Sequence, residues 1–365
     1  MNGYFYVLTA IDLFVLSFMC ILTKFSESLN KKQKRGFFLA FALIAGISVL
    51  EVVTLAVDGA PAGYRWLNIL SNYLGFGLSP AVSLCLVYVM DRKKMVNFWF
   101  RAAVCCEGCY LLFLALSIPA GLVFSVSEDN VYSRGPYFYI YILMYLAAIV
   151  YLSASTIVTA REFQNRSRVL IYPLMLFLTI ETIIQVALPS LHVTWLCVTL
   201  LSVLYFIYCS EMWNQLDALT GLLNQNSYLN RTAKMRRSGG VLVVFDVDDF
   251  KQVNDRYGHL QGDVCLAEIA HCIKKAYARS GYCYRIGGDE FCVIAQISDM
   301  AAEAYLSAFF HTLEARREQN EHLPHVSVGY ACFNPVLGSV EDAIKRADRM
   351  MYHYKRKLKE TSAAK

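Results

Sequence analysis

From Tyr4 to Cys209, apolar runs of about 17 to 25 residues alternate with short polar breaks, and nothing constrains this chain more. A helix of that length satisfies its backbone N–H and C=O groups internally, so each run is long enough to cross the ~30 Å hydrocarbon layer of a bilayer. Seven such runs are read at 4–23, 37–57, 66–90, 96–118, 137–159, 169–189 and 193–209, the last being the shortest. The hydrophobic share of 56% exceeds the ~45–50% of soluble globular chains, and the surplus is concentrated in this half. From Ser210 onward charge density rises and strand-like runs alternate with helical patterns. The expected organisation is an all-α membrane bundle of seven helices over 1–209, a short helical linker over 210–216, and a soluble α+β domain over 217–365.

The basic residues fall into alternate loops. Lys24, Lys31, Lys32, Lys34 and Arg35 follow the first run, Arg92, Lys93 and Lys94 the third, and Arg161, Arg166 and Arg168 the fifth. The remaining loops hold mainly Arg65 and Arg134. The positive-inside rule places the basic loops and the soluble half in the cytoplasm and the N-terminus outside, and an odd number of spans agrees with this. The first run has no preceding basic segment and no small-residue cleavage site, so it is read as a retained span and not a removable signal.

Net charge is +5, much of it in the inner loops and in the tail from Lys355 to Lys359. Anionic membrane lipid accounts for such loops, and no nucleic-acid polymer is implied as a partner. The twelve cysteines lie mainly in apolar runs and in the half assigned to the cytoplasm, where disulfides rarely persist. Cys106 and Cys109 form a lone CxxC inside the fourth run, and ordinary helix packing explains it better than metal or redox chemistry. Asp12, Glu51, Glu107 and Glu181 fall within predicted spans, where a charge costs at least ~2.5 kcal/mol at the helix centre. They mark either a ligand, proton or ion site or protonated carboxyls bonded to Asn68, Asn72 or Gln185. Trp66, Trp99, Trp195, Tyr137 and Tyr139 stand near span ends and read as interfacial anchors. The longest outer loop, Pro119 to Pro136, is too short for a folded sensor domain, so a signal ligand of unknown identity would act through the bundle or the bilayer.

The soluble half carries the chemistry. Val241 to Phe250 reads as a buried strand running into Asp246, Asp248 and Asp249, and Tyr282 to Phe291 reads as a hairpin turning at Gly287-Gly288-Asp289-Glu290. The two glycines suggest a two-residue turn of type I′ or II′, with room for phosphate against the backbone. Asp246 at a strand end and Asp289 on a turn offer hard oxygen ligands of the kind that hold Mg²⁺ together with substrate phosphates. With Lys251, Asn254, Asp255, His259 and Asp263 at their spacings, and with Asp217-Ala-Leu-Thr-Gly-Leu-Leu-Asn224 upstream, residues 217 to 359 resemble the GGDEF family of diguanylate cyclases.

The resemblance implies a palm-like sheet similar to that of nucleotide cyclases, and condensation of two GTP molecules into cyclic di-GMP with release of two pyrophosphates. It implies two Mg²⁺ (or Mn²⁺) ions per site on Asp246, Asp289 and the backbone carbonyl of Val247, with Asp289 also a proton acceptor and Glu290 its acidic neighbour. Lys251 corresponds to a transition-state stabiliser. Asn254, His259 and Asp263 correspond to guanine contacts, and a carboxylate at Asp263 suits the N1 and N2 donors of guanine where adenine offers an acceptor. Lys355 and Lys359, four apart on one helix face, correspond to ligands of the terminal phosphates. Taken alone, Asp263 also reads as a helix cap, Lys355 as a helix-end charge and Arg285 as either a salt-bridge partner or a site residue.

Each domain presents one nucleotide, so the reaction requires a homodimer. The resemblance also implies a bacterial inner-membrane location. The alternative is a non-catalytic nucleotide-binding receptor signalling through a protein partner; such domains usually lose metal or turn residues, and here both sets are present. Two departures stand out. Gln225 replaces the arginine usual after the motif asparagine, and the two key positions of the family's inhibitory RxxD motif are Ala278 and Gly281. Weak or absent product inhibition is therefore expected.

Overall fold

The computed structural model describes residues 3–90, 98–163, 171–188, 193–233, 239–334 and 340–363, with the side chains of 162, 171, 175, 185, 186 and 357–363 set aside. The chain divides into two compact units, Met1–Asn214 and Gln215–Lys365.

The first unit contains helices α1 (Gly3–Phe25), α2 (Lys31–Val57), α3 (Arg65–Met90), α4 (Phe98–Ser117), α5 (Tyr139–Glu162), α6 (Ile171–Ala187) and α7 (Thr194–Asn214). Among the described residues six of these, not seven, are long and apolar enough to span a bilayer. The exception is α6, whose 17 described residues stand at the lower limit of what crosses a ~30 Å layer as a helix. The rest of the expected 169–189 run, with Arg92, Lys93, Lys94, Arg166 and Arg168, lies outside the described residues. Helix α2 begins with a capping box, in which Asn30 Oδ1 accepts from the Gln33 N–H at 3.0 Å and Gln33 Oε1 accepts from the Asn30 N–H at 2.8 Å.

The 119–136 connection is folded into a small hairpin of β1 (Phe124–Val126) and β2 (Tyr132–Arg134), which sequence patterning did not suggest. Asn130 takes φ 59°, and its amide donates to Val57 O and Ala60 O at 2.6 and 3.0 Å, tying the hairpin to the end of α2. Asn68 donates to Asn130 Oδ1 and Asn72 donates to Asn68, so these amides serve that connection and not the buried acids. Trp66 and Trp99 are exposed near helix starts, but Trp195 is buried, so its reading as an interfacial anchor does not hold. Cys105, Cys106 and Cys109 are exposed along α4 rather than packed in a core, and no disulfide forms among the described residues.

In the second unit, α8 (Gln225–Thr232) is followed by β3 (Gly240–Val247), α9 (Phe250–Tyr257), α10 (His259–Tyr277), β4 (Gly281–Arg285), β5 (Glu290–Ala295), α11 (Asp299–Arg317), β6 (Val326–Phe333) and α12 (Val340–Ala363). The strands form one antiparallel sheet in the order β4-β5-β3-β6. Alternation along β3 decides what lies on each face. Val241, Val243, Phe245 and Val247 enter a core with Ile269, Ile273 and Tyr277 of α10 and Phe309 and Leu313 of α11. The opposite face carries α12. Gly329 of β6 permits this closeness, because a Cβ there would lie 2.1 Å from Ala347 O and 2.4 Å from Met351 N. Along α12 the buried Ala343 and Ala347 are followed at helical spacing by Met351 and Lys355. That row brings Lys355 to the end of β3, where Asp246 closes the even-numbered face.

Candidate active site

The acids converge because two strands are in register. Asp246 pairs with Glu290 across β3 and β5, and the Val247 N–H donates to Asp289 O at 3.2 Å. The aspartate-rich end of β3 and the acidic turn are therefore neighbours, as the pattern of two apolar runs predicted. The turn itself differs from the expected type. Neither Gly287 nor Gly288 takes a positive φ, which I′ and II′ turns demand. Arg285 and Phe291 form the last β4–β5 pair, and the N–H groups of Ile286 and Gly287 both donate to Glu290 O, so a wider loop closes the hairpin without mirror-image dihedrals. A Cβ at Gly287 would lie 2.7 Å from the Glu290 carboxylate and would push that side chain aside, whereas the position above Gly288 is open.

Arg285 proves to be a brace. Its guanidinium donates to Gly288 O at 2.7 Å and pairs with Asp217 at 3.1 Å. Asp217 also accepts from the N–H and hydroxyl of Thr220 at 2.8 and 2.7 Å. Burial pushes the Asp217 carboxyl up, but the Thr220 bonds and Arg285 outweigh it and hold the group below its usual range. Leu223 donates to Cys283 O and accepts from Arg285 N–H, so the 217–224 motif lies along the edge of β4.

Lys355 is the cation of the site. Its ammonium donates to Asp246 and stands 3.9 Å from Asp248, which in turn accepts from the Ser327 hydroxyl at 2.8 and 2.9 Å. Burial lowers the Lys355 pKa, but Asp246 first, then Asp248 and Asp289, raise it to a net increase. Burial, followed by Asp246, Asp289 and Asp348, pushes Glu290 above its ordinary value, and burial does the same for Asp248. Lys355 pairs with Asp246 and Asp248, and among the described residues Asp289 and Glu290 have no ion-pair partner. That excess of negative charge fits a divalent cation. No group of three or more His, Cys, Asp or Glu side chains with metal-binding geometry occurs among the described residues. The expected ligand set has only two such side chains, Asp246 and Asp289, with the Val247 carbonyl as the third ligand.

Lys251, in the first turn of α9, is exposed and makes no ion pair among the described residues. Asp249 just before it adopts φ 52°, a conformation that aspartate tolerates better than most residues and that turns the chain sharply out of β3. The Asn254 Oδ1 is buried without a hydrogen-bond partner and lies where a Cβ on Gly262 would come within 1.9 Å. His259 begins α10 and Asp263 is exposed one turn later, with Gly258 as the N-cap at φ 82°. Asp263 is therefore not a cap, because α10 starts earlier than its glycine suggested. An orphaned amide oxygen next to Gly262, with an exposed histidine and an exposed carboxylate in the first turns of the same helix, offers groups suited to the edge of a polar base. The side chain of Lys359 lies outside the described residues. Sequence reading missed Ser327, Asp348 and Gly329; the serine and glycine sit in an ordinary strand pattern, where only three-dimensional proximity reveals their part.

Residues 214–361 match the family model described as diguanylate cyclase, GGDEF domain. Diguanylate cyclase DgcS of Shewanella oneidensis is 33% identical over 151 residues, covering 40% of this chain and 51% of that protein. Diguanylate cyclase A of Treponema denticola is 30% identical, covering 37% of each. The solved GGDEF domain of DgcB from Caulobacter crescentus, in complex with c-di-GMP, is 30% identical and covers 39% of this chain and 90% of that one, with a TM-score of 0.35. The chain spans about half or less of the length of these two curated relatives, and the match falls on the unit that carries the paired acidic strands. Residues 214–361 of this chain are a GGDEF domain.

Proposed function

We propose that this protein is a membrane-bound diguanylate cyclase, joining two GTP into cyclic di-GMP and releasing two pyrophosphates under control of its membrane unit. The observation that carries the reading is the pairing of Asp246 with Glu290 beside Asp248 and Asp289, four carboxylates with one lysine among them. Bound divalent ions would supply activation of the 3′-hydroxyl and neutralisation of the triphosphate. Asp246, Asp289 and the Val247 carbonyl would hold them. With Asp246 engaged by such ions, Lys355 would be available to phosphate oxygens, and Lys359 follows four residues later in sequence. Lys251 is free to approach the reacting phosphate. Asn254, His259 and Asp263 form the guanine edge. Asp289 accepts the hydroxyl proton, with Glu290 keeping the local potential negative.

Two copies must face each other to bring each hydroxyl to the partner's α-phosphate, so the working form is a homodimer. The domain boundary is placed near 210–216, with seven spans leaving the N-terminus outside and the GGDEF domain in the cytoplasm of a bacterial inner membrane. Product control by an RxxD site is not built in. Ala278 lacks the arginine, and a Cβ at Gly281 would lie 2.7 Å from Ala295 Cα and Ile294 O, leaving no space for an aspartate. Incubating the full-length protein with GTP, ATP and Mg²⁺ and separating the products tests the reading. Cyclic di-GMP forms from GTP alone, Asp289→Ala abolishes it, and added product inhibits weakly or not at all. An intact, dimeric protein that binds GTP yet yields no pyrophosphate would establish the non-catalytic receptor instead.

A further inference from the structure

The membrane unit contains a cavity of about 240 Å³ that the cyclase chemistry does not use. It lies within the bundle and is bounded at one end by the β1–β2 hairpin, through Tyr132 and Arg134. Glu51, Asp58 and Glu181 face it against a single cation, Arg134. Asp58 is engaged by the Tyr132 N–H at 2.7 Å and the Asn68 amide at 3.3 Å, and the Arg134 guanidinium lies 4.6 Å from the centre of the Phe138 ring. Glu181 is different. It is only 5% exposed, and neither carboxylate oxygen has a partner of hydrogen-bonding geometry among the described residues. The buried hydroxyl of Thr194, which also lines the cavity, stands close to the Glu181 carboxylate but makes no bond of hydrogen-bonding geometry.

Leaving buried polar groups unsatisfied is costly, and a carboxylate at membrane depth more so. The surrounding walls are aromatic: Phe76, Tyr141, Tyr145 and Trp195 line the same space. Ring faces attract cations, most strongly when water is excluded. An unmatched acceptor pair, an excess of acid and π-faces together fit one ligand class. We propose that the cavity is a binding site for a small organic amine, its ammonium held by Glu181 and Thr194 and its apolar body seated against the aromatic wall. A ligand here would bridge α2, α3, α5, α6 and the start of α7, the helix that leads directly to residue 214.

The test uses full-length protein in lipid nanodiscs, with 2-phenylethylamine as probe and 2-phenylethanol as its neutral counterpart, read by calorimetry and thermal denaturation. The amine should bind saturably and at least tenfold more tightly than the alcohol. Glu181→Gln should reduce amine affinity about tenfold or more, with Glu107→Gln, a buried acid outside the cavity, leaving it unchanged. Trp195→Leu should weaken the amine selectively and serves where the Glu181 variant does not fold. Equal binding of amine and alcohol, no binding of either, or unchanged amine affinity in Glu181→Gln and Trp195→Leu would overturn the assignment. The readout is binding, so the outcome is independent of whether the protein makes cyclic di-GMP.

Discussion

At the scale of single residues, charge crowding and steric exclusion are the two effects with measurable consequences. Glu290 is held above the usual carboxylate range by burial and by Asp246 and Asp289. A raised acid keeps its proton in the folded state at pH values where the unfolded chain has lost it. Its stabilising contribution is therefore complete below the unfolded value of about 4.3 and is lost as pH rises through the folded one. Glu290→Gln should accordingly raise the thermal midpoint at pH 7 without Mg²⁺, by only about 1 °C because the group is largely exposed. The gain should vanish near pH 4 and shrink when Mg²⁺ is added; a gain that persists at low pH would show that charge is not its cause. Gly262 shows the steric effect. In Gly262→Ala the new methyl displaces Asn254, 1.9 Å away as built, so the KM for GTP should rise about tenfold while the fold remains intact. Initial rates of pyrophosphate release against GTP concentration check this, and a fall in kcat with KM unchanged would place Asn254 away from the nucleotide.

At the scale of elements, α12 positions the site from one face of the sheet and the 217–224 motif from its edge. Gly329→Ala would drive a methyl into the backbone of α12 at Ala347 O and Met351 N, neither of which can rotate aside. Overpacking of this kind costs typically ~1–3 kcal/mol, and the helix that carries Lys355 would be displaced. A lowered thermal midpoint together with lost turnover is expected; a stable, active variant would mean that α12 does not need this contact. The Asp217–Arg285 pair is also coupled to the turn through Gly288 O. Asp217 is depressed, so its stabilisation is present above the unfolded value of about 3.9 and lost as pH falls through the lower folded value. Asp217→Asn and Arg285→Gln should each reduce turnover and stability at pH 7, and the double variant should be little worse than either. Strict additivity in that cycle would deny the brace.

The order of strands and helices, the convergence of Asp246 with Asp289 and the row leading to Lys355 were legible because alternation and helical spacing are local properties. The wide turn, the seat for α12 on Gly329 and the Ser327–Asp248 bond were not, since each depends on which distant backbone comes near.

At the scale of the whole molecule, two units of different physical character are joined at residues 214–215. In the first, exposed apolar side chains such as Phe14, Trp99, Leu116 and Val150 cover helices that water would not tolerate, and a bilayer supplies the missing solvent. The folded 119–136 hairpin carries Arg134 and Glu128, whereas the basic clusters belong to the opposite set of loops. Short-loop basic charge resists translocation, so the hairpin should lie outside and the C-terminus inside. The decisive count is α6: if it crosses, seven spans separate the two termini, and if it lies in the interface, six bring them to one side. Fusion of a fluorescent protein after Lys365 should fluoresce, and alkaline phosphatase should be active when inserted at Glu128 and inactive after Lys365. Phosphatase activity at the C-terminus together with activity at Glu128 would mean that α6 does not cross, giving six spans and placing the second unit outside. Four helices separate the N-terminus from the hairpin, so an N-terminal phosphatase fusion should be active whichever way α6 lies, and the C-terminal fusions decide the count, an inactive phosphatase there meaning seven spans.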